Sequence, residues 1–282
     1  MNDTPAIIEK ARAPIKEGDR LAPRVASITL NVFRDDNWQH VKSSEVFDRR
    51  RVIVFGLPGA FTPTCSTQHL PRFNELAPTF FAHGIDEVLC VSVNDPFVME
   101  AWGRAQQCCD TISLVADGNG EFSQALGLLV DKTDLSFGMR SKRYSMLVED
   151  NVIKKLFIEP DEAGDPYKVS DADTMLKAVD PNAKAPDQIV VFTRQGCPHC
   201  ARAKETLEQG GFKYVEMPLP DSIRHTVVGA ISGRDTVPQI FLNGELIGGA
   251  DDLEQRLYGA SGPPNSGLHN VSASRPTLRA AD

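Results

Sequence analysis

The 282-residue sequence lacks any apolar run close to the roughly 20 residues that a membrane-spanning helix needs. Its first twenty residues contain no continuous apolar stretch of the kind found in secretory signals. It also lacks a basic run, and its formal net charge of −8 repels phosphate backbones. We therefore expect a cytoplasmic protein with neither a membrane nor a nucleic acid as partner.

The cysteine content, six in 282 residues, is far below that of a disulfide scaffold. A disulfide framework is typical of small secreted domains, and this chain is too large to need one. Cys90 lies in a strand-like apolar run, EVLCVSV, and is expected to be a buried, reduced thiol. The six cysteines occupy positions 65, 90, 108, 109, 197 and 200.

Strand-like and helix-like segments alternate along the chain, which indicates an α/β protein with two domains. A segment rich in Pro, Asp and Ala, PNAKAPDQ, resembles a linker between them. The expected parts are an N-terminal extension (1–17), a first domain (18–180), a linker (181–187), a second domain (188–259) and a disordered tail (260–282).

The first candidate site lies where the apolar strand RVIVFGL ends in the segment PGAFTPTC. Thr62 and Pro63 predict a helix start, with a hydroxyl N-cap and proline in the first helical position. Cys65 then falls in the first turn, where free backbone N–H groups and the helix dipole stabilise a thiolate. Pro71 is expected to bend the helix that follows.

The segment PGAFTPTCSTQHLPRF resembles the active-site segment of peroxiredoxins of the peroxiredoxin-5 type. The resemblance runs from about residue 18 to 160, and Pro58, Thr62 and Cys65 match the family's P-x-x-x-T-x-x-C pattern. It implies that Cys65 attacks the peroxide O–O bond and becomes a sulfenic acid. Thr62 is then expected to hydrogen-bond the peroxide, and Pro58 to shield the sulfur.

The family's catalytic arginine maps onto Arg143 in KRYSMLVED, and Arg140 is the neighbour that competes for this assignment. The implied role is to hold the thiolate and stabilise charge on the leaving oxygen. Many relatives also carry a second, resolving cysteine in the C-terminal part of the domain, but FIEPDEAGDPYKVSDADTML has none. The adjacent pair Cys108-Cys109 is expected to be structural or incidental, so the sulfenic acid needs an outside thiol.

The second candidate site is Cys197-Pro198-His199-Cys200, a C-x-x-C motif between a strand and a helix. The competing interpretation is half of a zinc site. No second pair of ligands stands at a compatible spacing, so no metal is expected.

Three motifs around this pair resemble glutaredoxins: VVFTRQGCPHC, TVPQIF and IGGADDLEQRL. The resemblance covers about residues 187–258, implies a cis Pro238, and places glutathione against the Val237 backbone. Ala250 stands where the family commonly has Ser or Cys, and Arg224 is a weaker alternative to Arg194 for binding the glycyl carboxylate. The expected glutathione-binding residues are Arg194, Thr236, Val237, Pro238, Gly249, Ala250 and Asp251.

Together the two halves resemble bacterial hybrid peroxiredoxin–glutaredoxin proteins, which implies two thioredoxin-like domains and no tightly bound cofactor. The expected function is a glutathione-dependent peroxidase in which Cys65 reduces hydroperoxides and Cys197 regenerates it. Cys200 fits either a monothiol or a dithiol cycle. A homo-oligomer, dimer or tetramer, with contacts between domains of different subunits is expected. Two alternatives stay open: a glutathione-dependent disulfide reductase with a vestigial peroxidase half, and a peroxide sensor or holdase.

Overall fold

The computed structural model describes residues 12–162 and 164–259, and it divides the chain into two compact units between Ala185 and Pro186. The expected disordered tail and most of the expected N-terminal extension lie outside the described residues. Within the described part, no helix is long and apolar enough to cross a membrane.

The first unit is built on a seven-stranded sheet and a separate two-stranded one. Its strands are β1 (Thr29–Arg34), β2 (Asn37–Lys42), β3 (Arg51–Leu57), β4 (Glu87–Ser92), β5 (Ser113–Ala116), β6 (Leu129–Asp131), β7 (Met139–Ser141), β8 (Tyr144–Glu149) and β9 (Val152–Ile158). Its α-helices are α1 (Ala22–Val25), α2 (Ser43–Phe47), α3 (Leu70–Ala82), α4 (Pro96–Gln106), α5 (Glu121–Ala125) and α6 (Ala172–Val179). A π-helical segment (Cys65–His69) precedes α3, and a 3₁₀ turn (Thr133–Leu135) follows β6.

The large sheet has the order β2-β1-β5-β4-β3-β8-β9, with β3, β4 and β5 parallel and the remaining pairs antiparallel. Strand β3 lies near its centre, and its residues 52–57 are all buried. Because side chains alternate along a strand, Ile53 and Phe55 enter one apolar core while Val52 and Val54 enter another. Helices α3, α4 and α6 cover the first face, and α1, α2 and α5 cover the second.

The second unit has a four-stranded sheet in the order β11-β10-β12-β13. Strand β10 runs parallel to β11 and antiparallel to β12, and β12 pairs antiparallel with β13. Helices α7 and α9 contribute Ala203, Leu207, Leu253 and Leu257 to a single apolar core. The elements are β10 (Ile189–Thr193), α7 (Pro198–Gln209), β11 (Val215–Pro218), α8 (Asp221–Ser232), β12 (Gln239–Leu242), β13 (Glu245–Gly248) and α9 (Ala250–Tyr258).

Two local features differ from the expectations of the sequence. Thr62 does not cap the helix: its Oγ1 donates a 2.8 Å hydrogen bond to Gly59 O, because the loop turns back and brings that carbonyl within reach. The disturbance expected at Pro71 takes the form of the π-helical segment, in which Leu70 N–H donates to Cys65 O. Proline has no N–H, and the wider turn accommodates its loss at the start of α3.

Both ends of the first unit pack closely. Ile15 lies within the expected N-terminal extension, yet it is buried in one of the apolar cores and its N–H donates to Leu126 O. Ala183 and Ala185 lie within the expected linker and pack against the other core.

Candidate active site

Cys65 lies at the beginning of the π-helical segment, just after the loop that leaves β3. It is buried among the side chains of the first core. Phe61 in the preceding loop has a positive φ of 60° and is 57% exposed. A bulky residue in this backbone region is strained, which is typical of loops that position functional groups.

Arg143 is the cation next to this thiol. Its Nη1 lies 3.5 Å from Cys65 Sγ, and the side chain is almost completely buried. Arg140 instead points elsewhere, since it donates to Val93 O and to Phe137 O. Burial opposes the charged form of Arg143, but the hydrogen bonds that it donates to Asp165 and the proximity of Cys65 outweigh burial and raise the pKa of Arg143. The structure therefore brings together Cys65 and Arg143, with Thr62 and Pro58 on the adjacent loop.

His69 supports the same guanidinium from the π-helical segment. Its Nδ1 lies 3.2 Å from Arg143 Nη1, and its Nε2 lies 3.2 Å from Ser170 O. Since arginine only donates, Nδ1 accepts and the ring carries its proton at Nε2. Burial, followed by the charge of Arg143, lowers the pKa of His69 to about 3, so the imidazole is neutral at physiological pH.

A segment after β9 approaches Arg143 from the other side. Both carboxylate oxygens of Asp165 lie 2.5 Å from Arg143 Nη2, and the ring of Tyr167 faces the guanidinium at 5.7 Å. Glu159 fastens this segment, because its Oε1 accepts hydrogen bonds from three consecutive backbone N–H groups and from Ser170 Oγ. Burial opposes ionisation of Glu159, but these hydrogen bonds prevail and lower its pKa.

The other thiols of the first unit lie in less reactive surroundings. Cys90 is buried in β4, as the sequence indicated, and burial raises its pKa well above the usual value. Burial also raises the pKa of Cys108 to about 12, and the half-buried Cys109 is raised in the same direction. Cys108 and Cys109 are free thiols.

In the second unit, Cys197 is the N-cap of α7. Its Sγ accepts a 3.2 Å hydrogen bond from Cys200 N and lies 3.7 Å from Val237 O. Cys200 is buried one turn further on, and burial, with the Cys197 thiol as the next cause, raises its pKa. Cys197 is thus the cysteine at the N-terminus of α7, and Cys200 is the buried cysteine with the raised pKa.

The Thr-Val-Pro turn lies directly against this cysteine. The Val237–Pro238 peptide bond is cis, as the resemblance implied. Gln239 is buried behind the turn and its Nε2 donates to Thr236 O at 2.7 Å. The N-terminus of α9 is also close, since a β-carbon on Gly249 would lie 3.9 Å from Pro238 O.

The other expected glutathione-binding residues differ in their exposure and in their contacts. Arg194 is exposed and lines a groove of about 660 Å³ together with Cys197 and Cys200. Arg224 forms an ion pair with Asp221 and does not line that groove. Ala250 is buried at the start of α9, and the exposed Asp251 pairs with Arg202.

Sequence reasoning did not single out Asp252, which closes the N-terminus of α9. Its Oδ2 accepts from Gly249 N and pairs with Arg234 Nη1, each at 2.7 Å. Sequence reasoning also missed His69, Asp165, Tyr167 and Gln239. His69 stands one helical turn after Cys65, and that spacing was the only local signal for any of them. Among the described residues, no group of three or more His, Cys, Asp or Glu side chains is arranged to hold a metal ion.

Both units have the thioredoxin-like architecture of thiol-dependent oxidoreductases, and comparisons with known proteins define the class. The Redoxin family model matches residues 16–176, and the Glutaredoxin family model matches residues 189–247. A solved structure of reduced Prx3 from Vibrio vulnificus in complex with hydrogen peroxide is similar, with a TM-score of 0.53 and 38% identity. That likeness covers 58% of this chain and 99% of the other.

The hybrid peroxiredoxin hyPrx5 of Haemophilus influenzae is 53% identical over 232 residues, which is 82% of this chain and 96% of the relative. Peroxiredoxin-2B of Arabidopsis thaliana is 42% identical over 168 residues and covers 59% of this chain and 99% of its own. The chain belongs to the hybrid peroxiredoxin–glutaredoxin family. It is therefore a peroxidase in which a peroxiredoxin and a glutaredoxin are joined in one chain.

Proposed function

We propose that this peroxidase is glutathione-dependent, with Cys65 as the peroxide-reducing residue and Cys197 as the residue that restores it. The Cys65 thiolate attacks one oxygen of a hydroperoxide, the O–O bond breaks, and the products are a sulfenic acid and, after protonation, water or an alcohol. A first glutathione condenses with the sulfenic acid, which releases water and leaves a mixed disulfide.

The Cys197 thiolate then attacks the glutathione sulfur of that mixed disulfide and frees the Cys65 thiolate. A second glutathione attacks the Cys197 mixed disulfide and leaves as oxidised glutathione, so two glutathione molecules are oxidised per peroxide. Arg194, Thr236, Val237, Pro238, Gly249, Ala250 and Asp251 are the residues we propose to hold glutathione.

The observation that carries the proposal is the contrast between the environments of the two thiols and of their neighbours. Cys65 has a buried guanidinium 3.5 Å away, and Cys197 lies at a helix N-terminus beside Val237 O. Burial raises the pKa of Cys90 and of Cys200 instead. We therefore propose a monothiol role for Cys197, in which Cys200 is not required to expel glutathione.

The division of the chain between Ala185 and Pro186 supports a functional division as well. We propose a peroxidase domain over residues 18–180 and a reductant domain over 188–259, joined at 181–187. Fusion raises the effective concentration of the reductant thiol near the mixed disulfide, within one chain or between subunits. Such a cycle requires a reducing compartment, which favours the cytoplasm.

The test is hydrogen-peroxide consumption with glutathione, glutathione reductase and NADPH, comparing wild type with Cys65→Ser and Cys197→Ser. The proposal expects repeated turnover for wild type and loss of turnover in both variants. Cys109→Ser is the matched control, because it removes a half-buried thiol of the same unit and is expected to leave turnover unchanged. Full activity of Cys197→Ser would refute the relay, and a wild type that stops after one equivalent would favour the peroxide sensor.

We also propose that the chain forms a homo-oligomer through the surface around the peroxidase loop. Three apolar side chains are exposed there: Phe61, Phe137 and Met139. Arg140 contacts both parts of this surface. Its guanidinium lies over the Phe137 ring, and its Nη1 is 3.6 Å from the β-carbon position of Gly59, in the loop that carries Phe61. Sedimentation velocity of wild type and Phe61→Ser tests this, and a monomeric wild type at micromolar concentration would contradict it.

A further inference from the structure

Arg143 is held more completely than a surface arginine. Both of its terminal nitrogens have partners: Nη1 faces Cys65 Sγ and His69 Nδ1, and Nη2 faces both oxygens of Asp165. Its Nε–H is buried and has no partner in the part of the chain that the structure describes. The direction of the guanidinium is therefore set by these partners, and Asp165 is the carboxylate among them.

Asp165 reaches this position through a segment that is itself fixed. The Glu159 carboxylate holds the backbone of residues 168–170, and Glu159 N–H donates to Arg143 O at 3.0 Å. The same segment therefore grips Arg143 by its backbone and by its side chain. Tyr167 closes the remaining face, and its ring also contacts His69 at 5.1 Å.

We infer that Asp165 is a positioning residue for the peroxidase reaction, which acts through Arg143 and not on the peroxide. This rests on the proposed roles of Cys65 and Arg143. A carboxylate on Nη2 directs the opposite edge of the planar guanidinium, Nη1, toward the sulfur. Without it, the guanidinium of a long side chain with several rotatable bonds keeps the Cys65 sulfur, a neutral imidazole and an aromatic face as its neighbours.

The protein offers a matched control on the same segment. Asp161 also pairs with a cation of the strand connection before β8, since both its oxygens lie within 2.7 Å of Lys142 Nζ. Lys142 is the neighbour of Arg143 in sequence, but the Asp161 side chain is 79% exposed and its carboxylate bonds to Lys142 and not to Arg143. Asp161→Asn and Asp165→Asn therefore remove the same charge from the same segment.

The measurement is the rate constant for oxidation of Cys65 by hydrogen peroxide in a single turnover, with full-length reduced protein. The reaction is quenched with N-ethylmaleimide, and the remaining Cys65 thiol is quantified by mass spectrometry. We expect Asp165→Asn to slow this step by about tenfold or more, because small displacements of a catalytic group are costly. Asp161→Asn is expected to match wild type.

A double-mutant cycle with Arg143→Lys separates positioning from a merely structural effect. Lysine has no planar fork for Asp165 to orient, so Asp165→Asn is expected to add nothing in that background. The inference is overturned if Asp165→Asn is as fast as wild type, if Asp161→Asn is equally slow, or if Asp165→Asn slows Arg143→Lys by the same factor.

Asp165→Glu keeps the inference testable should Asp165→Asn fail to fold. It preserves the charge and moves the carboxylate by one methylene, so a severalfold loss of rate in a folded protein is expected, and a wild-type rate would overturn the inference. Failure of the underlying function is distinguishable, because wild-type Cys65 itself would then resist hydrogen peroxide.

Discussion

Protonation of His69 should make the stability of the peroxidase unit depend on pH. Its pKa falls from the ordinary 6.5 to about 3 in the folded chain, mainly through burial and then through the charge of Arg143. The folded protein therefore keeps this ring neutral, while the unfolded chain binds a proton below about pH 6.5. The contribution of the neutral His69 to folding stability is therefore full above about pH 6.5. It is lost progressively as the pH falls toward the folded-state pKa of about 3.

Between about pH 7.5 and pH 5.5 this single group should increase the unfolding equilibrium constant about tenfold, on the order of 1 kcal/mol. Urea unfolding followed by tryptophan fluorescence measures the effect, because both tryptophans, Trp38 and Trp102, lie in the first unit. The comparison is His69→Gln, whose amide retains an acceptor for Arg143 and a donor for Ser170 but does not titrate.

We expect the variant to be less stable than wild type at neutral pH. Its unfolding equilibrium constant should rise about tenfold less than that of wild type between pH 7.5 and pH 5.5, since all other titrating groups are common to both proteins. Equal losses in wild type and His69→Gln over this pH interval would refute the assignment of a neutral, buried His69.

Three further predictions concern single residues. Cys200→Ser should keep glutathione-dependent peroxide turnover within about twofold of wild type, because burial leaves this thiol a poor nucleophile. Gly56→Ala should destabilise the first unit by about 3 kcal/mol in urea unfolding, because its β-carbon would overlap the buried Tyr144 ring. Gln239→Met should raise the KM for a glutathionylated substrate about fivefold with little change in kcat, because Thr236 O loses its buried donor. Loss of turnover, unchanged stability or an unchanged KM would contradict the respective prediction.

Elements with a continuous apolar run or with clear start and end signals could be located from the sequence. The predicted strand RVIVFGL coincides with β3 (Arg51–Leu57), because a continuous apolar, β-branched run defines it. The β1–β2 hairpin was missed, since β2 is largely polar and the turn uses Asp35-Asp36. Both of these residues adopt positive φ, which the usual Asn-Gly signal would have revealed.

The residues of the candidate site also fall into two groups, those close together in sequence and those far apart. Pro58, Thr62 and Cys65 belong to one continuous segment, so their proximity follows from local sequence alone. Asp165 and Tyr167 lie about a hundred positions from Cys65, and they contact Arg143 from a segment whose backbone is bound by the Glu159 carboxylate. No periodicity in the sequence encodes that contact.

The same segment gives a reason for the division of labour that we propose between the two halves of the chain. Peroxiredoxins that this sequence resembles often place a resolving cysteine in the C-terminal part of the domain, whereas here the segment between β9 and α6 contributes Asp165 and Tyr167 to Arg143. A segment that fixes the guanidinium must stay closed while the thiolate reacts, and a resolving cysteine usually needs local opening to reach the sulfenic acid. Holding Arg143 and supplying a thiol are thus competing tasks for one short segment. A chain that uses it for the first task needs the second performed elsewhere, which is the role that we propose for the fused glutaredoxin.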